Sequence, residues 1–296
     1  MSAYLAPITL AQALVLHDAH PQARWLAGGT DLLVHLRQIP ATTKPPILID
    51  ISRVPEMHGI HVDAGGLHIG AGNSFAHIAA SPLVAAYAPA LQQAALTVGG
   101  PAIRNMGTLG GNLCSASPAA DSLPPLVMLD AQVELSSASG TRRLAVADFV
   151  TGPRQTQLAA DELLTRVSLP LRPELNTQRF VKIGLRQSLA IAVASFAGML
   201  VCDADGCITE ARFAWGSVGP VVQRFPEIEA LLTGQTAASL PPDLLAQVLQ
   251  KVRTSVQPVE DLRASADYRR AMASQLLANF LAQDISTPPD GEPSSA

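Results

Sequence analysis

A pair of glycines set between a strand and a helix decides how this chain begins. Arg24, Trp25 and Leu26 form a short strand-like run that enters Ala27-Gly28-Gly29-Thr30-Asp31, after which Leu32, Leu33 and Leu36 return at helical spacing. Ile47 to Ile51 (ILIDI) is a β-branched strand. Strand, glycine turn, helix and strand over residues 25–51 make a parallel crossover unit, because two parallel neighbours need a connection that crosses the sheet. The first lobe is therefore expected to be α/β.

The flanking sequence is punctuated in the same way. Thr9 followed by Gln12 is a capping box for an opening helix that ends near His17 to Pro21. Leu67 to Ala71 (LHIGA) is a strand, and Ser81-Pro82 supplies an N-cap and first-turn proline for helical sequence reaching Val98, where Gly99-Gly100-Pro101 stops it. Pro101 to Pro125 is too broken for either regular period and too apolar for a solvated linker, which marks a long loop that holds something. Val127 to Leu135 and Arg142 to Val146 read as a hairpin, and Leu163 to Leu169 as a strand ended by Pro170. The polar stretch Leu171 to Gln178 is the expected boundary between domains 1–172 and 178–283.

Beyond it the pattern changes to a strand at Arg179 to Gly184, then a hairpin of Ala192 to Cys202 with Ile208 to Ser217 turning at Asp203-Ala-Asp-Gly206. Helices are expected at Leu231–Leu232, Leu244 to Val252 and Tyr268 to Leu281, giving a smaller α+β C-terminal domain. Residues 286–296 have nothing to bury and read as a flexible tail.

Composition removes several function classes. With 20 Lys+Arg against 24 Asp+Glu in 296 residues, the formal charge of −4 offers no basic field for nucleic acid. No apolar run reaches the roughly 18 residues of a membrane span. Cys114, Cys202 and Cys207 are too few for an iron-sulfur centre or a disulfide framework, and together with the absence of a secretory leader they suggest a reducing, cytoplasmic setting. All seven histidines precede residue 78 in no familiar metal-ligand spacing, so no metal site is expected. Ser74 lacks the final glycine of a nucleophile elbow, which argues against a hydrolase. Charged residues are only 15% of the chain, which fits a protein that buries surface against other subunits.

Chemistry concentrates at two glycine bends, Ala27 to Asp31 and Thr108-Leu109-Gly110-Gly111-Asn112. Paired glycines let main chain approach a phosphate, and consecutive N–H groups form an anion nest suited to a pyrophosphate. Thr30 and Thr108 can add hydroxyl donors, whereas Asp31 would repel a phosphate unless it caps its own helix, the role expected of it. Neither bend matches G-x-G-x-x-G or a P-loop. Lys182, alone in an apolar strand, is either an edge-strand gatekeeper or a group facing a ligand between lobes.

The segments LAGGTDLLVHLR (26–37), IGAGNSFAHI (69–78) and IRNMGTLGGNLCSASPAADSLPPLVMLDA (103–131), with FVKIGLRQSLAIAVASFA and GSVGPVVQR further on, resemble the FAD-binding medium subunit of the molybdenum hydroxylases, the xanthine dehydrogenase and carbon monoxide dehydrogenase group. The resemblance runs to about Ala282. It implies an α+β protein: a two-lobed FAD-binding domain of the p-cresol methylhydroxylase/vanillyl-alcohol oxidase type, built of two α/β lobes, followed by the family's C-terminal module. Carried over, Leu26, Ala27, Gly28, Gly29, Thr30, Asp31, Leu32 and Leu33 with Ala71 and with Thr108, Gly110, Gly111 and Asn112 would wrap noncovalent FAD. Ser115 and Asp121 fall on cofactor-contacting positions, Leu164 on the strand behind it, and Lys182 at the flavin edge. Val98 stands where some relatives place an aromatic residue near the flavin.

The resemblance implies an oxidoreductase subunit with no catalytic acid or base of its own. Electrons from a large molybdopterin-binding partner would come through the 2Fe-2S clusters of a small partner and pass by way of FAD to an acceptor such as NAD, a quinone or oxygen, within a heterotrimer that can be dimerised. The alternatives are a self-sufficient FAD oxidase or reductase of this fold, and a flavin-free adaptor.

Overall fold

The computed structural model describes residues 4–40, 45–172, 176–186 and 189–283, so the expected tail lies outside the described residues. The chain opens with β1 (Tyr4–Leu5), α1 (Leu10–Ala19), β2 (Arg24–Leu26), α2 (Leu32–Arg37) and β3 (Leu48–Asp50). These strands form a three-stranded sheet, order β1-β3-β2, parallel throughout, so the expected crossover is present. The Thr9 hydroxyl accepts from the Gln12 N–H at 3.2 Å, while Gln12 Oε1 takes the N–H of Ile8 at 3.0 Å. The capping box thus closes one residue early.

The second lobe runs through β4 (Ile60–Asp63), β5 (Gly66–Gly70), α3 (Phe75–Ala80), α4 (Pro82–Tyr87), α5 (Pro89–Thr97), α6 (Pro101–Met106), α7 (Leu109–Ser115), α8 (Leu123–Met128), β6 (Gln132–Ser137), β7 (Gly140–Ala145), α9 (Val146–Phe149), β8 (Val150–Gly152), β9 (Gln155–Thr156) and β10 (Leu163–Leu169). Its five-stranded sheet has the order β4-β5-β10-β6-β7 and every pairing is antiparallel. This lobe is α+β where α/β was expected, because tight hairpins join β4 to β5 and β6 to β7 and leave no room for crossovers.

The helical segment from Ser81 is split in two at Ala88, since Pro89 brings no amide to continue it. The supposed long loop after Pro101 is largely α6, α7 and the start of α8. Val127 and Met128 belong to the wholly buried α8 rather than to the hairpin, and Asp130 (φ 53°) turns the chain into β6.

Three further strands, β11 (Asn176–Gly184), β12 (Ala192–Cys202) and β13 (Ile208–Gly216), form an antiparallel sheet followed by α10 (Pro226–Glu229), α11 (Pro242–Ser255) and α12 (Ala266–Gln283). β11 starts three residues earlier than expected, and the helix expected at Leu231–Leu232 is the single turn α10 just before it. Both faces of β12 are buried, which is why it is apolar along its length apart from Ser195. Period-2 alternation sends Phe180, Ala197, Met199 and Val201 into the core of the second lobe, and Phe196, Leu200 and Phe213 into a separate core with α11 and α12. Among the described residues no helix is long and apolar enough to cross a membrane.

Candidate functional site

The two glycine bends touch. A Cβ on Gly28 would lie 1.7 Å from the Met106 carbonyl oxygen and 3.1 Å from Gly107 Cα, so only glycine lets the first bend lie on the chain entering the second. One on Gly107 would meet Thr30 Oγ1 at 3.4 Å. Gly29 adopts φ 70°, and the Leu33 and Leu26 side chains close round it. In the second bend, a Cβ on Gly110 would stand 2.8 Å from the Cβ of Ala71, the residue that follows β5 and whose N–H donates to Thr165 O beside Leu164. Leu164 itself is buried in the core.

The bends differ in what they offer. Among the described residues, the backbone N–H groups of Gly28, Gly29, Thr30, Asp31 and Leu32 have no protein acceptor. Those of the second bend are engaged: Leu109 donates to Asn73 O (3.0 Å), Gly110 to Ala71 O (2.8 Å), Gly111 to the capping hydroxyl of Thr108 (3.1 Å) and Asn112 to Thr108 O (3.0 Å). The expectation that both bends present bare amides is corrected for the second. Its glycines serve close packing, and Thr108's own N–H is the amide there without a protein partner among the described residues.

Asp31 also departs from expectation. It stands at the N-cap of α2 in helical geometry and makes no side-chain cap. Its carboxylate instead accepts from Ser115 Oγ at 3.1 Å and pairs with Arg154 at 3.1 Å, with His35 at 3.5 Å. Burial raises its pKa, yet the Arg154 guanidinium, Ser115 and His35 together hold it below the usual carboxylate value. Nearby, Ser122 Oγ donates to Asn112 Oδ1 at 2.6 Å.

Lys182 lies on the edge strand β11 but on the inward face with Phe180, so the solvent gatekeeper role falls away. Its ammonium meets Asp121 Oδ2 at 2.5 Å and donates to Thr97 O at 3.1 Å. Both side chains are at most one-tenth exposed, and Asp121 Oδ1 is buried with no partner. Burial raises the Asp121 pKa against the pull of Lys182 and Thr97.

Sequence reading missed Arg154 and Thr97. Arg154 sits outside every glycine motif, and only its left-handed backbone (φ 58°) in the β8–β9 turn sets it apart. Asn73, whose carbonyl takes the Leu109 amide and whose side chain ties Gly59 to Gly70, lies inside the segment 69–78 but was assigned nothing.

Residues 1–172 match the FAD binding domain in molybdopterin dehydrogenase, and residues 179–284 the CO dehydrogenase flavoprotein C-terminal domain. The nicotinate dehydrogenase FAD-subunit of Eubacterium barkeri is 34% identical over 90% of each chain, and the putative xanthine dehydrogenase FAD-binding subunit of Escherichia coli 31% over 96% of each. The solved CO dehydrogenase of Oligotropha carboxidovorans superposes with a TM-score of 0.88 at 26% identity, covering 97% of this chain and 98% of that one. The chain belongs to the FAD-binding medium subunits of the molybdenum hydroxylases, and it is an oxidoreductase subunit.

The residues present fit FAD. A row of five amides without acceptors among the described residues suits a diphosphate, Gly28 lets that row lie directly on the chain entering the second bend, and Asp121 Oδ1 is a buried carboxylate oxygen without a partner among the described residues.

Proposed function

We propose that this chain holds FAD noncovalently at the joined bends and serves as the relay between a 2Fe-2S partner and an external electron acceptor. The open amides of Gly28 to Leu32 carry this reading: they are consecutive, lie at the start of α2 and have no competing protein acceptor among the described residues. In this assignment they hold the diphosphate with Thr108, while Gly110, Gly111 and Ala71 shape the wall. Leu26, Ala27, Leu33 and Leu164 pack behind it, Asp31 and Ser115 tie the start of α2 to the end of α7, and Asn112 ties α7 to Ser122 at the start of α8. Asp121 and Lys182 face the ring system, where FAD, once bound, supplies reversible electron uptake.

The Lys182 ammonium, held by Asp121 and Thr97, keeps a fixed cation at low dielectric. Beside the bends, Ile103, Met106 and Leu189 are exposed apolar side chains, the texture of a face covered on assembly. This supports association with a large molybdopterin-binding subunit and a small 2Fe-2S subunit, as in the multi-subunit relatives. NAD, a quinone or oxygen would be the final acceptor, in a complex placed in the cytoplasm.

The test is retention of FAD by the purified full chain. Gly28→Ala drives a methyl into the Met106 carbonyl, and FAD affinity is expected to fall at least about 100-fold, roughly 3 kcal/mol, read by flavin fluorescence. The far-ultraviolet circular dichroism and urea midpoint of Gly28→Ala against the parent are the folding control. Undiminished flavin in Gly28→Ala would overturn the cradle.

A further inference from the structure

The β4–β5 hairpin carries chemistry that the flavin site does not use. His61 and Asp63 are two apart on β4 and so share a face, and His68 on β5 is the direct cross-strand partner of His61. Ser168 on β10 is in turn the partner of His68, so the three strands line up His61, His68 and Ser168 in one row. The imidazoles of His61 and His68 lie 5.1 Å apart between ring centroids. One donor atom from each of His61, Asp63 and His68 falls within 4.8 Å of the others.

The surroundings fix how these groups point. His68 is buried, with Nδ1 at 2.8 Å from Ser168 Oγ and Nε2 at 2.9 Å from Asp63 Oδ1. When Nδ1 carries the proton and donates it to Ser168, the Nε2 lone pair is left facing Asp63 and His61. An outer hydrogen bond of this kind sets the tautomer of metal-binding histidines. Asp63 Oδ1 is also oriented by the Gly65 N–H at 2.7 Å. His61 and Asp63 remain open to water, so an ion could enter without any rearrangement of the core.

We propose that His61, Asp63 and His68 form a binding site for one first-row divalent transition-metal ion, with Zn²⁺ the best match. Two neutral imidazoles and one carboxylate are the donor set of zinc and its neighbours rather than of Mg²⁺ or Ca²⁺, which take oxygen cages. Water completes the coordination on the exposed side. The ion pins β4 to β5, the strand that runs directly into Ala71 and the wall behind Gly110.

The probe is Zn²⁺ alone, titrated calorimetrically into the chelator-treated full chain. One equivalent should bind with a dissociation constant on the order of micromolar. His61→Ala, at an exposed position, should weaken binding at least about 10-fold, and Ser168→Ala by about 10-fold through the lost outer hydrogen bond. His77→Ala, on α3, should bind as the parent does. In the unsubstituted chain, Zn²⁺ should protect the exposed His61, but not the exposed His77, from diethylpyrocarbonate as read by mass spectrometry. Absence of a saturable site below about 100 μM, or equal affinity in the parent and His61→Ala, would overturn the proposal, as would a His61 that stays reactive with Zn²⁺ present.

Discussion

Asp121 and Lys182 bury opposite charges between the second lobe and the C-terminal sheet, and a buried pair is most informative when one half is removed. Lys182→Met leaves an uncompensated carboxylate in the core, expected to cost about 3–5 kcal/mol at neutral pH. Burial already sets the folded pKa of Asp121 above its unfolded value. Without the cation it rises further, so the folded variant binds more protons than the unfolded chain. The deficit is therefore smallest in acid and grows as pH rises through the raised folded value. Urea midpoints between about pH 5 and pH 8 check this, and Asp121→Asn with Lys182→Met should recover most of the loss. A deficit independent of pH would mean that Lys182 acts by packing alone.

Asp31 poses the opposite problem, a carboxylate kept ionised beside amides assigned to a diphosphate. Arg154 offsets that charge, and Arg154→Ala should lower FAD affinity about 3- to 5-fold, a modest effect because the pair is half exposed. Asp31→Asn in the same chain should restore it.

At the level of elements, legibility followed punctuation. The β2–α2–β3 unit and the β12–β13 hairpin were readable because glycines or Asp203-Ala-Asp-Gly206 bracket them and their apolar periods are clean. α6, α7 and α8 were not, for a physical reason: each is six or seven residues long, too short to display a period, and α8 is buried on every side, so its apolar run imitates a strand. The bends were legible as glycine pairs, but which amides stay open depends on Asn73 and Ala71, whose carbonyls are brought there only by the sheet. Lys182 was legible as an anomaly and its partner was not, since Asp121 is 61 residues away in sequence.

The same face logic makes a prediction for α12. Phe280 packs on Phe196 and Phe213, on the side of the sheet turned away from Lys182. Phe280→Ala should cost about 3–5 kcal/mol in unfolding free energy, while FAD affinity measured on the folded protein stays unchanged. A parallel loss of FAD affinity would show that the two faces are coupled.

Across the whole molecule, the C-terminal sheet belongs to two cores at once, so its removal would strip Phe180, Met199 and Val201 from the second lobe's core. A charge network fastens the same seam. Asp130, in the turn after α8, meets Arg172 at 2.8 Å, Arg224 at 3.2 Å and Arg212, while Glu210 pairs with Arg172 and Arg212 and Glu229 with Arg224. Arg212 is 8% exposed, so it depends on these anions rather than on water. Asp130→Asn tolerates the left-handed backbone as well as aspartate does and removes only the charge. Because Asp130 is itself half exposed, its loss should cost about 3 kcal/mol, the low end for a broken buried pair. One sheet supplies a face to each core, which couples their unfolding, so calorimetry should show one transition that moves down as a unit. Two resolved transitions, with the first unmoved by Asp130→Asn, would mean that the seam is an interface between independent domains and that Lys182 is supplied to Asp121 by a separable part.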